Sequence, residues 1–441
     1  MPFLSADPEL RRDSYYAATA ARGAGFAALD GDASCDVAIV GGGLAGLSAA
    51  IELADRGFSV RVLEAEQVGF GASGRNGGQA IHGLSCDIET IEAQLGLAES
   101  RRVFDMTIEA LDLIRARCAR FGIQADWRDG WLGVATSPRK ARALLAGADH
   151  LAQHYGYPLE HITRHDLGRW IESPRYHAGV FDARSGHLHP LKYTLGLARA
   201  AASLGVSIHE ATPVTGLTPS ERPVLHTPRG RVIARQVLLA GNVYLQGVAP
   251  RVEARIMPAG TYIVAAGPVP QALAQRLIPS GAAVCDNDLV VDYYRFAPET
   301  GPHGEALARM LFGGRVSYST VTPAALAESM RQRMLAALPA LADVPITQAW
   351  GGFVDLTMNR APDFGRLPEA PQVYYLQGFS GHGLALTGLA GQLVAQAMAG
   401  DASRFDSFAR IRHRPFPGGR LLRMPLLVLG MAWYRLKDLL A

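Results

Sequence analysis

Cysteine is scarce in this chain: four among 441 residues. That excludes a disulfide scaffold, and the four thiols are expected to be free. Lysine is scarcer still, with Lys140, Lys192 and Lys437 set against 40 arginines. Charged residues make up 19% of the chain, where roughly 25% is usual. The 43 basic and 40 acidic side chains nearly balance, which excludes a nucleic-acid footprint over the whole chain. Disorder is excluded too, because 49% hydrophobic residues suffice to bury a core. The apolar stretch Leu426–Trp433 has eight residues, short of the ~20 that span a bilayer. Asp7, Glu9, Arg11, Arg12 and Asp13 leave no room for an apolar leader, so a cytoplasmic, reducing compartment is expected.

Glycine, by contrast, is abundant, with 48 residues or about 11% against an average near 7%. Sixteen of them fall within residues 35–85 and 378–391. The length suggests two to three folding units of about 150 residues. Cys35–Val40 reads as a buried strand, Leu44–Arg56 as a helix stopped by Gly57, and Ser59–Leu63 as a second strand. Together they form one βαβ unit. Ile91–Phe121 reads as helical, and Val206–Glu210, Arg231–Ala240 and Val373–Leu376 as further strands. Between these lie Tyr262–Ala266 and Leu289–Phe296, which read as strands, and Thr322–Leu338, which reads as a helix capped by Thr322 with Pro323 in its first turn. The pattern predicts an α/β fold: a Rossmann-like domain interleaved with a second, sheet-based one.

Inside the βαβ unit stands Gly41-Gly42-Gly43-Leu44-Ala45-Gly46, a GxGxxG after a strand and before a helix. The first glycine permits the tight turn, the second lets backbone approach a pyrophosphate, and the third lets helix and strand pack closely. The phosphates sit on the helix N-terminus. Glu64, 18 residues past Gly46, ends the second strand, where its carboxylate can accept both ribose hydroxyls. These features specify a dinucleotide, FAD or NAD. A second glycine loop, Phe70–Gln79 (FGASGRNGGQ), favours the longer ligand FAD; this backbone reads as too flexible for a helix or strand interior. A third cluster, Gly378-Phe379-Ser380-Gly381-His382-Gly383, opens an apolar helix from Leu384. Its N-terminus would stabilise charge on the flavin ring. No second GxGxxG follows a strand, so electrons must come from the organic substrate. The residues expected to touch the cofactor are Gly41, Gly43, Leu44, Ala45 and Gly46; Glu64 and Ala65; Gly71, Ala72, Ser73, Arg75, Asn76, Gly77, Gly78 and Gln79; and Gly381, His382, Gly383 and Leu384.

The run DVAIVGGGLAGLSAA with FGASGRNGGQ and GFSGHG resembles the FAD-dependent amine oxidases of the D-amino-acid oxidase and sarcosine oxidase superfamily. Ser14–Ala18 (SYYAA), Ser185–Pro190 (SGHLHP), Asp292–Arg295 (DYYR) and Pro415–Arg420 (PFPGGR) extend the resemblance over nearly the whole chain. They point to the bacterial γ-glutamylputrescine oxidase subgroup, to which L-pipecolate oxidases are similar. The resemblance implies an FAD-binding domain of segments 30–127, 188–250 and 348–415. It also implies a substrate domain of 128–187 and 251–347. Val214 would meet the adenine, and Gly241 and Asn242 would form a turn at the cofactor. An antiparallel sheet carrying Tyr293, Tyr294 and Arg295 would face the substrate, with one tyrosine of the pair toward the flavin. Arg295 is a candidate partner for a substrate carboxylate, and His382 for the flavin edge.

Sarcosine oxidases attach flavin to a C-terminal-half cysteine. Cys285 is the last cysteine here and DLTMNR (Asp355–Arg360) holds none, so non-covalent FAD is expected. Those enzymes also place a lysine over the flavin; no lysine matches. The expected reaction is hydride transfer from the carbon beside an amine to the flavin, with O2 or another acceptor reoxidising it. No catalytic base is assigned. The alternatives are an L-pipecolate oxidase or dehydrogenase with a membrane acceptor, and a flavin-binding module without turnover. His187 and His189 are expected to be structural, with no metal, and Cys86 to be a buried, unreactive thiol. Residues 404–441 carry net charge +6, and 416–441 read as a basic amphipathic segment. It is a candidate for peripheral contact with the inner membrane.

Overall fold

A computed structural model of the chain describes residues 13–317 and 322–418. The PFPGGR motif beyond Gly418 and the amphipathic segment beyond it lie outside the described residues. No helix among the described residues is long and apolar enough to cross a membrane.

Two sheets build the molecule. The first contains β1 (Ala33–Val40), β2 (Val60–Leu63), β7 (Ser207–His209), β8 (Gly216–Thr218), β9 (Val224–Thr227), β10 (Gly230–Leu239), β16 (Asp363–Leu367) and β17 (Ala370–Gln377). Its path is β16-β17-β10-β1-β2-β7. The five strands from β17 to β7 are mutually parallel. Parallel strands need cover on both faces, and Val37, Ala38 and Ile39 of β1 are fully buried.

The second sheet contains β3 (Gln79–Ala80), β4 (Arg128–Ala135), β5 (Glu160–Ile162), β6 (Ala178–His187), β11 (Met257–Pro270), β12 (Ala283–Asp286), β13 (Tyr293–Thr300), β14 (Ala306–Ser317) and β15 (Ile346–Leu356). Its path is β15-β11-β14-β13-β12-β4-β6-β3, antiparallel except for β12 beside β4. The expected boundary at residue 348 therefore falls inside a strand, because β15 pairs with β11 as far as Leu356. One face of this sheet (Ile263, Ala265, Leu311, Trp350) shares a core with the first layer. The other (Leu132, Val264, Tyr294, Phe312) packs with Met330 and Met334 of helix Leu326–Ala337.

Small residues bring two helices into direct contact over the first sheet. Leu44–Asp55 and Gly383–Met398 touch where Ser48 Oγ donates to Gly388 O at 2.5 Å. A Cβ at Gly391 would lie 2.5 Å from Ser48 Cβ. Both helices start at the C-terminal ends of parallel strands.

Three local expectations change. The helix expected from Thr322 begins at Leu326, because Ala325 adopts a left-handed conformation (φ 53°) that no helix continues through. Leu289–Asp292 is loop, not strand. Asp286 Oδ1 accepts from Asp288 N at 3.2 Å and Asp292 N at 3.0 Å, an alternative to ladder bonding. The Phe70–Gln79 loop is more ordered than its glycines imply. It holds a helical turn, Ala72–Arg75, closed by Asn76 Nδ2 donating to Ala72 O at 2.9 Å, and Gln79 already belongs to β3.

Candidate active site

The parallel strands deliver four turns to one edge of the first sheet: Gly41 after β1, Glu64 after β2, Gly241 after β10 and Gly378 after β17. That edge is where ligands bind in open α/β sheets. At the first turn Gly41 has φ 111°, and a Cβ there would lie 2.6 Å from Ala240 O. A Cβ at Gly46 would lie 2.1 Å from Gly41 O, so the helix seats on its own turn only as glycine. The helix has no side-chain cap of its own. Ser73 supplies one from the second glycine loop, its Oγ accepting from Leu44 N at 2.9 Å, and Gly43 leaves room for it. Ala45 follows inside the same first turn.

Glu64 closes the second turn. Its Oε2 accepts from Gly42 N at 2.7 Å and its Oε1 from Glu66 N at 2.9 Å. Each oxygen keeps a lone pair for a hydroxyl. Burial pushes its carboxyl above the ordinary range, against the pull of those two N–H groups. Ala65 beside it is exposed. Thr212 N donates to Glu64 O at 2.8 Å, holding the segment that carries Val214 beside the turn. Asn242 stands in the turn after β10 with φ 53°.

The second loop is fixed to the second sheet. Arg75 Nε donates to Gly351 O at 2.8 Å and Trp350 Nε1 to Arg75 O at 3.0 Å. Gln79 Nε2 donates to Val284 O at 3.0 Å. Tyr244 packs where a Cβ of Gly71 would stand, 3.1 Å from its ring, with Ala72 next to it. Gly77 faces Tyr293, whose ring would lie 2.5 Å from a Cβ there. Gly78 (φ 74°) faces Leu188 O and the Arg295 guanidinium. These glycines admit neighbouring protein groups.

Tyr293 and Tyr294 part company as strand alternation requires. Tyr293 is half-buried and lies between Gly77 and Gly313, toward the first layer. Tyr294 lies on the opposite face, stacked on Phe312 at 5.3 Å, its hydroxyl 2.8 Å from that of Tyr176. It is thereby the member of the pair turned away from the glycine loop, a choice the sequence left open. The expected carboxylate partner Arg295 is corrected. It is 2% exposed, and its donors end on Gly77 O (3.0 Å), Leu188 O (2.9 Å) and Tyr16 OH (3.3 Å).

At the fourth turn Gly381 (φ 87°) is exposed with open space around it, and Gly383 and Leu384 begin the helix. The His382 imidazole turns back to the carbonyls of Ile81 and His82, at 3.3 and 3.1 Å. Burial, then the charge of His82, lowers it to about 4. Sequence reasoning missed Asp355, at the end of β15. It is 1% exposed, and Gly378 N donates to its Oδ2 at 2.5 Å. Burial raises this carboxyl to about 6 despite N–H donors from Gly378, Phe379 and Ser380. The folded protein thus holds a proton on Asp355 up to about pH 6, while an unfolded chain loses it near pH 4. The stability from this group is fully present below pH 4 and falls as pH rises through 6. Asp355→Asn should flatten that decline. A thermal midpoint measured from pH 4 to 8 should show the variant gaining on the parent across pH 4–6; parallel curves would refute the assignment.

Also unread from sequence was the His82–Asp182 pair, 2.7 Å apart, with Tyr157 OH donating to Asp182 Oδ1 at 2.9 Å. No local pattern signals it, since residues 82 and 182 meet only in the fold. His187 and His189 are structural, as expected. His187 Nε2 meets Gly281 O at 2.9 Å, and His189 caps helix Pro190–Ser203 by accepting from Lys192 N at 3.1 Å. No group of three metal-ligating residues forms among the described residues. Burial pushes the Cys86 and Cys285 thiols up to about 12. Lys140 and Lys192 are paired with Asp288 and Asp126, at 2.5 and 2.8 Å.

A glycine turn, a helix N-terminus and a half-buried carboxylate on adjacent parallel strands define a dinucleotide-binding site, and these residues fit FAD. The chain belongs to the FAD dependent oxidoreductase family, whose profile matches residues 36–397. It is 40% identical over 426 residues to gamma-glutamylputrescine oxidoreductase of Escherichia coli (strain K12), covering 96% of this chain and 98% of that one. It is 38% identical over 410 residues to the probable oxidoreductase OrdL of Haemophilus influenzae, covering 91% and 92%. Among solved structures, glycine oxidase from Geobacillus kaustophilus superposes with TM-score 0.68 at 23% identity, covering 83% of this chain and 95% of that one. L-proline dehydrogenase from P. horikoshii superposes with TM-score 0.67 at 20% identity, covering 84% and 94%. The protein is an FAD-dependent oxidoreductase.

Proposed function

We propose that this enzyme oxidises the terminal amine of γ-glutamylputrescine, or of a closely related glutamylated ω-amine, to an imine that hydrolyses to an aldehyde. O2 is the proposed acceptor and H2O2 the by-product. The observation that carries the reading is the 40% identity to a gamma-glutamylputrescine oxidoreductase along almost the full length of both chains.

The bound flavin would supply hydride acceptance, and the residues supply its setting. Gly43, Ala45 and Gly46 would present N–H groups to the pyrophosphate, Gly41 and Leu44 would shape the turn that holds them, and Glu64 would take the ribose hydroxyls. Val214, Gly241 and Asn242 would line the adenosine side. The helix N-terminus at Gly383 would face the ring. Tyr293 is the proposed orienting side chain for the amine, on the sheet face toward the glycine loop. With His382 and the Cys86 and Cys285 thiols neutral near pH 7, a substrate amine meets no charge from them.

Anaerobic addition of γ-glutamylputrescine should bleach the flavin absorbance within the mixing time, and admitted O2 should restore it with one H2O2 per amine. Bleaching by L-pipecolate alone, with no glutamylated diamine effective, would overturn the substrate assignment. FAD is proposed to be held without a covalent bond. Acid precipitation should therefore release the yellow colour into the supernatant; a coloured pellet would reverse this.

A further inference from the structure

Arg295 is a buried cation with no ion-pair partner among the described residues. It is 2% exposed, and its donors reach two backbone carbonyls, the Tyr16 hydroxyl and, at 3.5 Å, His187 Nδ1. All four acceptors are neutral. Other buried guanidinium groups are matched. Arg309 binds Glu299 at 2.7 Å, and Arg117 binds Glu52 at 3.1 Å. Among the described residues no carboxylate forms an ion pair with Arg295. An isolated buried charge is costly unless a counter-charge is present or develops.

The neighbours do not supply one. His187 and His189 are lowered to about 3 by burial and then by Arg295 itself, so they are uncharged near pH 7. Tyr16 is buried and its hydroxyl is held protonated, its ionisation raised by burial. The guanidinium field is directed at the second glycine loop: Nε donates to Gly77 O, and a Cβ at Gly78 would lie 3.0 Å from Nη2. Tyr293, two residues earlier on the same face of β13, covers the same loop.

We propose that Arg295 is the fixed positive charge of the flavin site, a positioning residue that acts through the Gly77–Gly78 loop. It stabilises the negative charge that the ring acquires on reduction. A bound flavin that took a hydride from a neutral amine would gain two electrons and one proton and carry one net negative charge, and the substrate would leave as an iminium. In a dry interior a fixed cation acts over several ångströms. This inference rests on the bound FAD and not on which amine is oxidised, so it stands or falls separately from the substrate reading.

Sulfite tests it without any amine, because sulfite adds to the oxidised ring and leaves the same negative charge there. In the FAD-loaded enzyme, Arg295→Gln should weaken sulfite binding at least about tenfold, and Arg295→Lys, which keeps the charge but loses the fork, should stay within about threefold. Sulfite affinity retained in Arg295→Gln overturns the proposal. So does equal loss in both variants, which would mark a purely structural clamp. Should Arg295→Gln fail to retain FAD, the parent enzyme and Arg295→Lys decide. A midpoint potential for the parent no higher than that of free FAD, or loss of sulfite binding in the lysine variant, rejects it.

Discussion

Gly46→Ala should purify nearly colourless, with FAD affinity lowered at least about a hundredfold, or ~2.7 kcal/mol. Taken alone, alanine within a helix is favoured over glycine by about 1 kcal/mol, so any loss must come from contact. The contact is severe: the added Cβ would lie 2.1 Å from Gly41 O and 3.1 Å from Ile39 Cγ2. Gly41 has little freedom to yield. Its N–H donates to Leu63 O at 2.9 Å, and its own Cβ position is filled by Ala240 O. The helix Leu44–Asp55 must therefore lift from the turn, and it carries the Leu44 N–H and its Ser73 partner with it. The ratio of absorbance near 450 nm to that at 280 nm reads flavin occupancy, and far-ultraviolet circular dichroism checks that the fold persists. A folded variant with full flavin occupancy would show that the turn is not where the phosphates bind.

Arg175→Ala should destabilise the enzyme by about 3–5 kcal/mol, the cost of stranding buried carboxylates. Arg175 alone binds three of them: Asp292 at 2.7 Å, Asp288 at 2.9 Å and Asp286 at 3.2 Å. Asp286 and Asp292 are almost wholly buried. Burial already pushes the Asp286 carboxyl up to about 6, and its neighbours Asp292 and Asp288 push the same way. Removing the cation leaves Arg333, 2.7 Å from Asp292, as a partial substitute, which places the effect toward the lower end. A fall in thermal midpoint of roughly 3–5 °C at pH 7.5 is expected. Asp286 binds its proton in the folded state up to about pH 6, so below that the stranded carboxyl is neutral. The deficit of the variant should therefore shrink as pH falls from 7 to 4. An unchanged midpoint at pH 7.5 would show that the network is solvated and that Arg175 is dispensable.

The cofactor half of the site was legible because its chemistry is local. Strand, glycine turn, helix and second strand run from Ala33 to Leu63, and Gly46 and Gly42 answer to close contacts at Gly41 and at Glu64, inside or at the edge of that unit. Backbone chirality and the helix dipole act at the same range, so residue spacing alone carries the information. The substrate half was not legible. Tyr293 and Tyr294 are adjacent, and a shift of one residue in register exchanges their faces. Only pairing of β13 with β12 and β14 assigned Tyr293 to the glycine loop. The loop at Leu289–Asp292 escaped for a related reason: its residues favour a strand, and the Asp286 carboxylate, not propensity, decides.

The sequence by itself determined the FAD-dependent oxidoreductase fold, the glycine turn after Val40 and the carboxylate of Glu64 that closes the next turn. Only the tertiary structure decided what the polar side chains beside the glycine turns do. Arg295 meets Gly77 from 218 residues away, and Asp355 meets Gly378 from the far sheet. A side chain's partner across such separations depends on which faces the packed layers bring together, and local sequence holds no record of that.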